Sequence, residues 1–205
     1  MSFAKDSKLQ IIEKEIEDAD CSLAFLSGLC HACGNITKNS EGIRLDIVTD
    51  FKEIFSFVNH LVNKLYGEKL SLEISDDHII NKTIYYRIKF PLDISLQILK
   101  DCSLISSSGE FIFLSEIDDN LVADDETKKC FIKGAYIGCA TSSIKFSELG
   151  SQISTTGYHV EFSSHKLEFL QGLQRLLEYF NSTSKIGTRK KVYVLYLKDS
   201  EAIKD

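Results

Sequence analysis

An internal repeat is the feature that most constrains how this chain can fold. Each half carries a helix rich in small residues, a strand, an amphipathic helix and two further strands, in that order. The amphipathic helices, 51–66 and 166–180, align at one constant offset that brings their apolar residues together in pairs. Those pairs are Ile54 with Phe169, Phe55 with Leu170, Val58 with Leu173, Leu61 with Leu176, Val62 with Leu177 and Leu65 with Phe180. Any two amphipathic helices can be slid into register, but a repeated order of elements rarely arises by chance, so we predict a duplicated fold.

Hydrophobic periodicity and turn residues predict the individual elements. In the first half we expect helices over 8–19 and 21–33, a strand over 43–49, a helix over 51–66, strands over 70–75 and 83–90, and a helix over 92–99. In the second half we expect a helix over 128–140, a strand over 157–163, a helix over 166–180, and a hairpin of 183–187 and 191–197 that turns around Gly187 and Thr188. Residues 199–205 are typical of a helix that has just begun.

The domain organisation predicted from this pattern is two halves, 1–100 and 128–205, joined by a connecting segment, 101–127. That segment contains a serine run at 106–108 and a series of acidic residues at 118–126, which are typical of linkers. The apolar residues 111–114 interrupt it, and we expect them to pack back on the body of the protein.

Charge and apolar content limit the classes of function. The formal net charge is -6, whereas a dedicated nucleic-acid binder usually carries a basic excess. Any DNA affinity should therefore be local or weak, and an acidic surface suits a protein partner at least as well. No apolar run approaches the roughly 18 residues of a membrane span, and residues 1–17 lack the apolar core of a signal peptide. We therefore expect a cytosolic protein with reduced cysteines and no membrane contact.

The cysteines raise the question of a metal site. Cys30, His31 and Cys33 lie close together, and Cys21 precedes them. A structural zinc site normally needs a second pair of ligands at a recognisable spacing, and the remaining cysteines stand alone. We interpret the cysteines as small buried thiols, with zinc as the alternative, and expect no metal and no cofactor. Motifs of serine hydrolases, P-loop proteins and zinc proteases do not occur in the sequence.

One small-residue helix carries a recognisable motif. Residues 26–34 read Leu-Ser-Gly-Leu-Cys-His-Ala-Cys-Gly, which resembles the LAGLIDADG motif of homing endonucleases. The resemblance implies an α+β fold of two pseudo-twofold-related repeats, in which antiparallel sheets surround two axial helices packed against each other. Small residues would let these helices approach closely. Gly28 and Ala32 would supply the small face of the first helix, and Gly134 and Gly138 that of the second.

A nearer resemblance is to the WhiA family. It is carried by the opening Met-Ser-Phe, by Phe-Ile-Lys-Gly-Ala-Tyr at 131–136 followed by Tyr-His-Val-Glu-Phe at 158–162, and by Val-Tyr-Val-Leu-Tyr-Leu-Lys at 192–198. It covers nearly the whole chain, strongly over 130–205 and thinly over 67–127. It implies a cytoplasmic, nucleoid-associated transcription regulator that binds DNA and acts in sporulation or in cell division and chromosome segregation. The C-terminal helix-turn-helix of that family is absent from this chain, which stops at Asp205, whether by truncation or as a short natural form.

The positions that would carry nuclease chemistry are altered. A LAGLIDADG nuclease places one carboxylate at the foot of each motif helix, and together the two carboxylates hold divalent cations. The matching positions are Cys33 and Cys139, and the preceding motif acid is replaced by His31 and Ile137. Mg²⁺ prefers oxygen ligands, whereas thiols favour softer metals. The resemblance therefore implies a protein that is not an enzyme and has no catalytic residues. Two packed thiols are the favoured interpretation of Cys33 and Cys139, and a redox pair is the alternative.

Candidate DNA contacts follow from strand alternation, if the sheets face DNA. The residues concerned are Arg44, Tyr85, Arg87, Lys89, Arg189, Lys190 and Lys191. Asp46 and Glu161 also point outward, where they would repel phosphate. The strand of residues 193–197 is apolar on both faces, so its parity is undecided.

We predict weak, sequence-independent DNA binding, with specific recognition through the helix-turn-helix domain and a protein of the transcription machinery as a further partner. The alternatives are an active homing endonuclease, and a structural or protein-interaction domain whose cations only solvate its surface.

Overall fold

The computed structural model describes residues 3–74, 83–106, 115–149 and 152–197. Its first half contains α1 (Phe3–Ile12), α2 (Ala19–Cys33), β1 (Gly34–Asn39), β2 (Gly42–Thr49), α3 (Ile54–Tyr66), β3 (Ser71–Ile74), β4 (Tyr86–Lys89) and α4 (Leu92–Asp101). A short 3-10 turn (Asp119–Val122) precedes the second half. That half contains α5 (Asp125–Cys139), β5 (Ala140–Leu149), β6 (Gln152–Ser164), α6 (Leu167–Tyr179), β7 (Ser184–Arg189) and β8 (Val192–Leu197).

The strand order is the same in both halves. One four-stranded antiparallel sheet has the order β1-β2-β4-β3, and the other has the order β5-β6-β8-β7. α3 and α6 each present a buried apolar face to the core, as the paired apolar positions of the repeat predict. The predicted α+β fold of two repeats with antiparallel sheets around two axial helices is confirmed. Among the described residues, no helix is both long and apolar enough to cross a membrane.

The two axial helices, α2 and α5, form the centre of the molecule. They make the most extensive contact between any two described elements. Each begins at an aspartate N-cap: Asp18 accepts a hydrogen bond from the Cys21 amide, and Asp124 forms a capping box with Thr127. Every residue of α2 from Cys21 to His31 except the half-buried Leu23 is buried, as expected for a helix largely enclosed by protein.

Glycines set the distance between the axial helices. A Cβ atom on Gly28 would collide with the carbonyl oxygen of Phe131, and one on Gly134 would collide with the carbonyl oxygen of Phe25. A Cβ on Gly138 would lie 2.6 Å from the Cβ of Ala32. The backbones therefore touch at this crossing, and only glycine leaves room for that approach.

Several predicted boundaries are wrong. The first helix spans Phe3–Ile12 and not 8–19, since the chain leaves the helical conformation before Asp18 caps α2. The last hairpin turns at Lys190 and Lys191, which adopt left-handed φ values of 47° and 69°, and not at Gly187 and Thr188. Left-handed φ at both central residues matches the right-handed twist of the flanking strands. α3 and α6 begin later than predicted, at Ile54 and Leu167.

Two strands were missed altogether. β1 and β5 follow α2 and α5 without a connecting loop, and β1 is largely exposed, so it lacks the apolar alternation that would reveal it. The predicted strand over 157–163 is only the second part of β6. α5 begins at Asp125, inside the predicted connecting segment. The apolar run at 111–114 and the predicted helix at 199–205 lie outside the described residues.

The helix crossing leads to a stability prediction. Gly134→Ala should lower the free energy of unfolding by about 3 kcal/mol, because the new methyl group must push two backbones apart. Gly187→Ala is the matched control, since its Cβ would lie 3.7 Å from the Tyr196 ring, an ordinary contact. The control should change stability by no more than about 0.5 kcal/mol. Urea denaturation of both variants measures the difference, and equal stabilities would show that the helices do not touch at Gly134.

Candidate nucleic-acid interface

The outward face of the first sheet carries three of the candidate cations. In the strand register Asp46 lies opposite Lys89, Val48 opposite Arg87, and Thr37 opposite Arg44. Side chains with the opposite parity are buried in the core: Ile43, Leu45, Ile47 and Ile88. Arg44, Arg87, Lys89 and Asp46 therefore share one face. Tyr85 lies just before β4 and is half-buried.

Most of the charge on this face is paired within the protein. Arg87 contacts Asp46 at 3.3 Å, and Lys89 contacts Glu73 at 2.6 Å. Asp46 is only 3% exposed, so the sheet largely covers the carboxylate that the sequence placed on the outward face. Arg44 is partly exposed and makes no ion pair with a described residue. Arg44 is therefore more available for a contact with DNA than Arg87 or Lys89, which are paired with carboxylates.

The second sheet repeats the arrangement with different residues. Glu161, at the position equivalent to Asp46, accepts a hydrogen bond from His159 at 2.8 Å and contacts Arg189 at 3.2 Å. The hydrogen bond from His159 and the charge of Arg189 lower the pKa of Glu161. Lys190 and Lys191 form the exposed tip of the hairpin. Each sheet thus holds one carboxylate that an arginine neutralises.

The parity of β8 is settled by its neighbours. Tyr196 lies opposite both Glu161 and Lys185, so it is on the outward face together with Val194. Leu195 and Leu197 are buried in the core, and Tyr193 packs against it. The outward face of the second sheet therefore combines apolar, acidic and basic side chains and is not a continuous cationic surface.

The C-terminal ends of α2 and α5, which we call the feet of the axial helices, carry the two cysteines that occupy the nuclease positions. Cys33 and Cys139 are the last residues of α2 and α5, and both are partly buried free thiols. Burial raises the pKa of both, that of Cys139 to about 12. Both thiols are therefore protonated at neutral pH and are poor metal ligands and poor nucleophiles. The Cys33 thiol donates to the Leu29 carbonyl at 3.4 Å.

Two lysines that the sequence did not single out lie at the same feet. Lys8 of α1 donates to the carbonyl of Ile137 at 2.9 Å, and Lys166 donates to the carbonyl of His31 at 3.3 Å. Burial lowers the pKa of each ammonium group. Both contacts join residues more than a hundred positions apart, so no local motif could have found them.

The remaining cysteines do not form a metal site with Cys33. Cys30 is in hydrogen-bonding contact with Cys102, and Cys21 with Cys130. Cys33 has Cys30 and Cys139 as neighbours, and both contribute to the raised pKa of its thiol. Among the described residues, no three His, Cys, Asp or Glu side chains come together in a way that could hold a metal ion.

His31 replaces a motif acid and is enclosed in the core. Its ring stacks on Phe169 at 5.9 Å between centroids and lies 5.8 Å from the ring of Phe131. Its Nδ1 donates to the Ser27 carbonyl at 3.0 Å. Burial lowers the pKa of His31 to about 4, so the imidazole is neutral in the folded protein at physiological pH.

This burial predicts a pH dependence of stability. The unfolded chain, with a histidine pKa near 6.5, binds a proton that folded His31 does not accept until about pH 4. His31 should therefore contribute its full stability above pH 6.5 and lose about 3 kcal/mol as the pH falls to 4. In His31→Phe, the loss of stability between pH 6.5 and 4 should be smaller by that amount in urea denaturation. An unchanged pH profile would show that His31 is accessible to solvent.

Comparison with known sequences identifies relatives of the whole chain. A family model described as the WhiA LAGLIDADG-like domain matches residues 22–89 and 146–205. The probable cell division protein WhiA of Thermoanaerobacter pseudethanolicus is 30% identical over 100% of this chain and 63% of its own length. That of Bacillus velezensis is 30% identical over 99% of this chain and 60% of its own length. The chain thus spans about three fifths of these relatives.

Solved structures share the fold at low sequence identity. Full-length DUF199/WhiA from Thermatoga maritima superposes with a TM-score of 0.64 at 13% identity, over 99% of this chain and 59% of that one. I-DmoI in complex with DNA and Mn superposes with a TM-score of 0.57 at 14% identity, over 91% of this chain and 94% of that one. The family model covers more than half of the chain, and the sheets and axial helices agree with it. The chain therefore belongs to the family of WhiA LAGLIDADG-like domains.

Proposed function

We propose that this chain is the non-catalytic LAGLIDADG-like part of a bacterial transcription regulator that binds DNA. Its role would lie in cell division and chromosome segregation or in sporulation, at the nucleoid in the cytoplasm. The relatives named probable cell division proteins support the first role. The sporulation role rests on the family resemblance of the sequence.

The observation that carries the non-catalytic part of the proposal is the pair of free cysteines, Cys33 and Cys139, at the feet of the axial helices. A magnesium-dependent nuclease needs oxygen ligands that hold the ion against the phosphate. Cys33 and Cys139 offer neutral sulfur instead, and Lys8 and Lys166 bring positive charge to the same place. An ammonium group repels a divalent cation, so the active-nuclease alternative is disfavoured on two independent grounds.

The DNA-binding part is supported by the fold and limited by its charges. I-DmoI has been crystallised with DNA in the same fold. In this chain, however, Arg87, Lys89 and Arg189 are engaged by carboxylates. Arg44, Lys190 and Lys191 are then the main candidates for phosphate contact on the sheets. We infer weak, sequence-independent binding by this chain, with specific recognition by a helix-turn-helix domain outside it.

A protein-interaction role is the second candidate. The net charge of -6 and the internally paired cations both disfavour an extended DNA surface. A component of the transcription machinery with a basic surface would suit such a face. The two candidates differ in whether the chain has any salt-dependent affinity for DNA.

The absence of nuclease activity can be tested directly. Supercoiled plasmid incubated with the chain and Mg²⁺ or Mn²⁺ should stay supercoiled on an agarose gel, because cysteines stand at both positions where a LAGLIDADG nuclease has its carboxylates. The double variant Cys33→Ala, Cys139→Ala should behave identically. Cleavage by the unaltered chain that disappears in this variant would overturn the proposal.

DNA affinity is tested by fluorescence anisotropy on duplex DNA at several salt concentrations. The unaltered chain should bind with a Kd of about 10⁻⁴ to 10⁻⁶ M at physiological salt, as expected for sequence-independent contacts. Arg44→Gln should reduce the salt slope by about one, because it removes one phosphate contact. Glu161→Gln should strengthen binding, because it releases Arg189 and removes a negative charge.

Arg175→Gln is the matched control, since Arg175 is an exposed arginine on α6 rather than on a sheet. It should leave the salt slope unchanged. An equal loss for Arg175→Gln and Arg44→Gln would place the DNA somewhere other than on the sheets. Tight, sequence-selective binding by this chain would contradict the assignment of recognition to another domain.

A further inference from the structure

Lys8 and Lys166 form a symmetric pair at the feet of the axial helices. The carbonyls that they contact, Ile137 and His31, each lie two residues before the last residue of their helix. One lysine comes from the first helix of the chain and the other from the residue before α6. Two distant segments thus supply the same chemical group to equivalent atoms of the two halves.

The ends of two helices explain why cations are held there. The last carbonyls of a helix lack intrahelical donors and carry the negative end of the helix dipole. α2 and α5 end side by side, so two such ends converge at the axis. Each ammonium group satisfies one carbonyl and offsets the partial negative charge beside it.

The positive charge at this place is only partly compensated. Neither Lys8 nor Lys166 forms an ion pair with a described carboxylate. Asp50 is near enough to favour the charged form of Lys8, whereas the groups that favour the charged form of Lys166 are cysteines. Burial keeps Cys33 and Cys139 protonated and hence neutral. Among the described residues, no carboxylate forms an ion pair with either ammonium group, although Asp50 lies near Lys8.

The ammonium groups also keep hydrogen-bonding capacity. An ammonium group has three N–H donors, and each lysine gives one of them to a carbonyl. Both side chains are partly exposed. An incoming anion can therefore be met by two cations that are already held in place, which reduces the entropy lost on binding.

The position of the pair relates it to the outward faces of the sheets. α2 leads directly into β1, and α5 leads directly into β5, so the feet lie where the two sheets begin. The second residues of these strands, Asn35 and Thr141, pair with Asp46 and Glu161 on the outward faces. The lysines thus contact the helix ends from which both sheets begin.

We propose that Lys8 and Lys166 form a binding site for backbone phosphate of duplex DNA at the feet of the axial helices. The site rests on the proposed DNA contact. Its two ammonium groups would form the centre of that contact, because most cations of the two sheets are paired with carboxylates. Each ammonium bridges a helix carbonyl and a phosphate oxygen. The site recognises charge and spacing and carries no base specificity.

The test is an anisotropy titration of duplex DNA with the 205-residue chain between low and physiological salt. The double variant Lys8→Gln, Lys166→Gln should lower the salt slope by about two, one for each lost phosphate contact. Lys14→Gln is the matched control, since Lys14 is exposed in the segment between α1 and α2. The control should keep the slope and affinity of the unaltered chain.

A second measurement guards against loss of folding in the double variant. Acetylation of the unaltered protein, followed by mass spectrometry, should show that duplex DNA protects Lys8 and Lys166 but not Lys14. The phosphate site is wrong if a folded double variant binds DNA with an unchanged salt slope. It is also wrong if DNA binds the unaltered protein without protecting the two lysines from acetylation. Either result leaves the proposed function standing. No binding by the unaltered chain at low salt would contradict both.

Discussion

The close crossing of α2 and α5 is the constraint on which the rest of the structure depends. Backbone meets backbone at Gly28 and Gly134, so neither helix can move outward without opening the centre of the molecule. Because each helix passes directly into a strand, the crossing also fixes where β1 and β5 begin and hence how the two sheets lie about the axis. The same geometry brings the two helix ends together. A nuclease of this fold uses such a meeting point to hold cations between carboxylates.

In this chain the ends of α2 and α5 carry thiol and ammonium groups in place of carboxylates. Neutral thiols stand at the ends of the helices, and ammonium groups from Lys8 and Lys166 satisfy the carbonyls beside them. The sheets show a related change, since each outward carboxylate, Asp46 or Glu161, is paired with an arginine. The protein thus has the LAGLIDADG-like fold, and the cations Arg87, Lys89 and Arg189 of its sheets are paired with carboxylates.

The sequence predicts the fold correctly where its signals are local or repeated. The apolar pairs of α3 and α6 revealed the duplication, and the glycines of the small-residue helices indicated their close approach. β1 was missed because it is an exposed strand that follows a helix directly. Such a strand has no alternation of apolar and polar residues and no turn residues before it. The hairpin turn was misplaced because Lys190 and Lys191 adopt a conformation that usually favours glycine or asparagine. Lys8 and Lys166 could not be found, because their partners are distant in sequence and are backbone atoms.

The α2–α5 crossing joins the two halves into one cooperative unit. Native-state hydrogen exchange tests it directly, because it reports the free energy of opening for each helix separately. The buried amides of α2 and α5 should exchange only through global unfolding, with the same free energy and the same dependence on denaturant. Amides of α1, which has no buried residues, should open at lower free energy. If α5 and its sheet open at a free energy well below that of α2, the halves are separate units that the crossing does not couple.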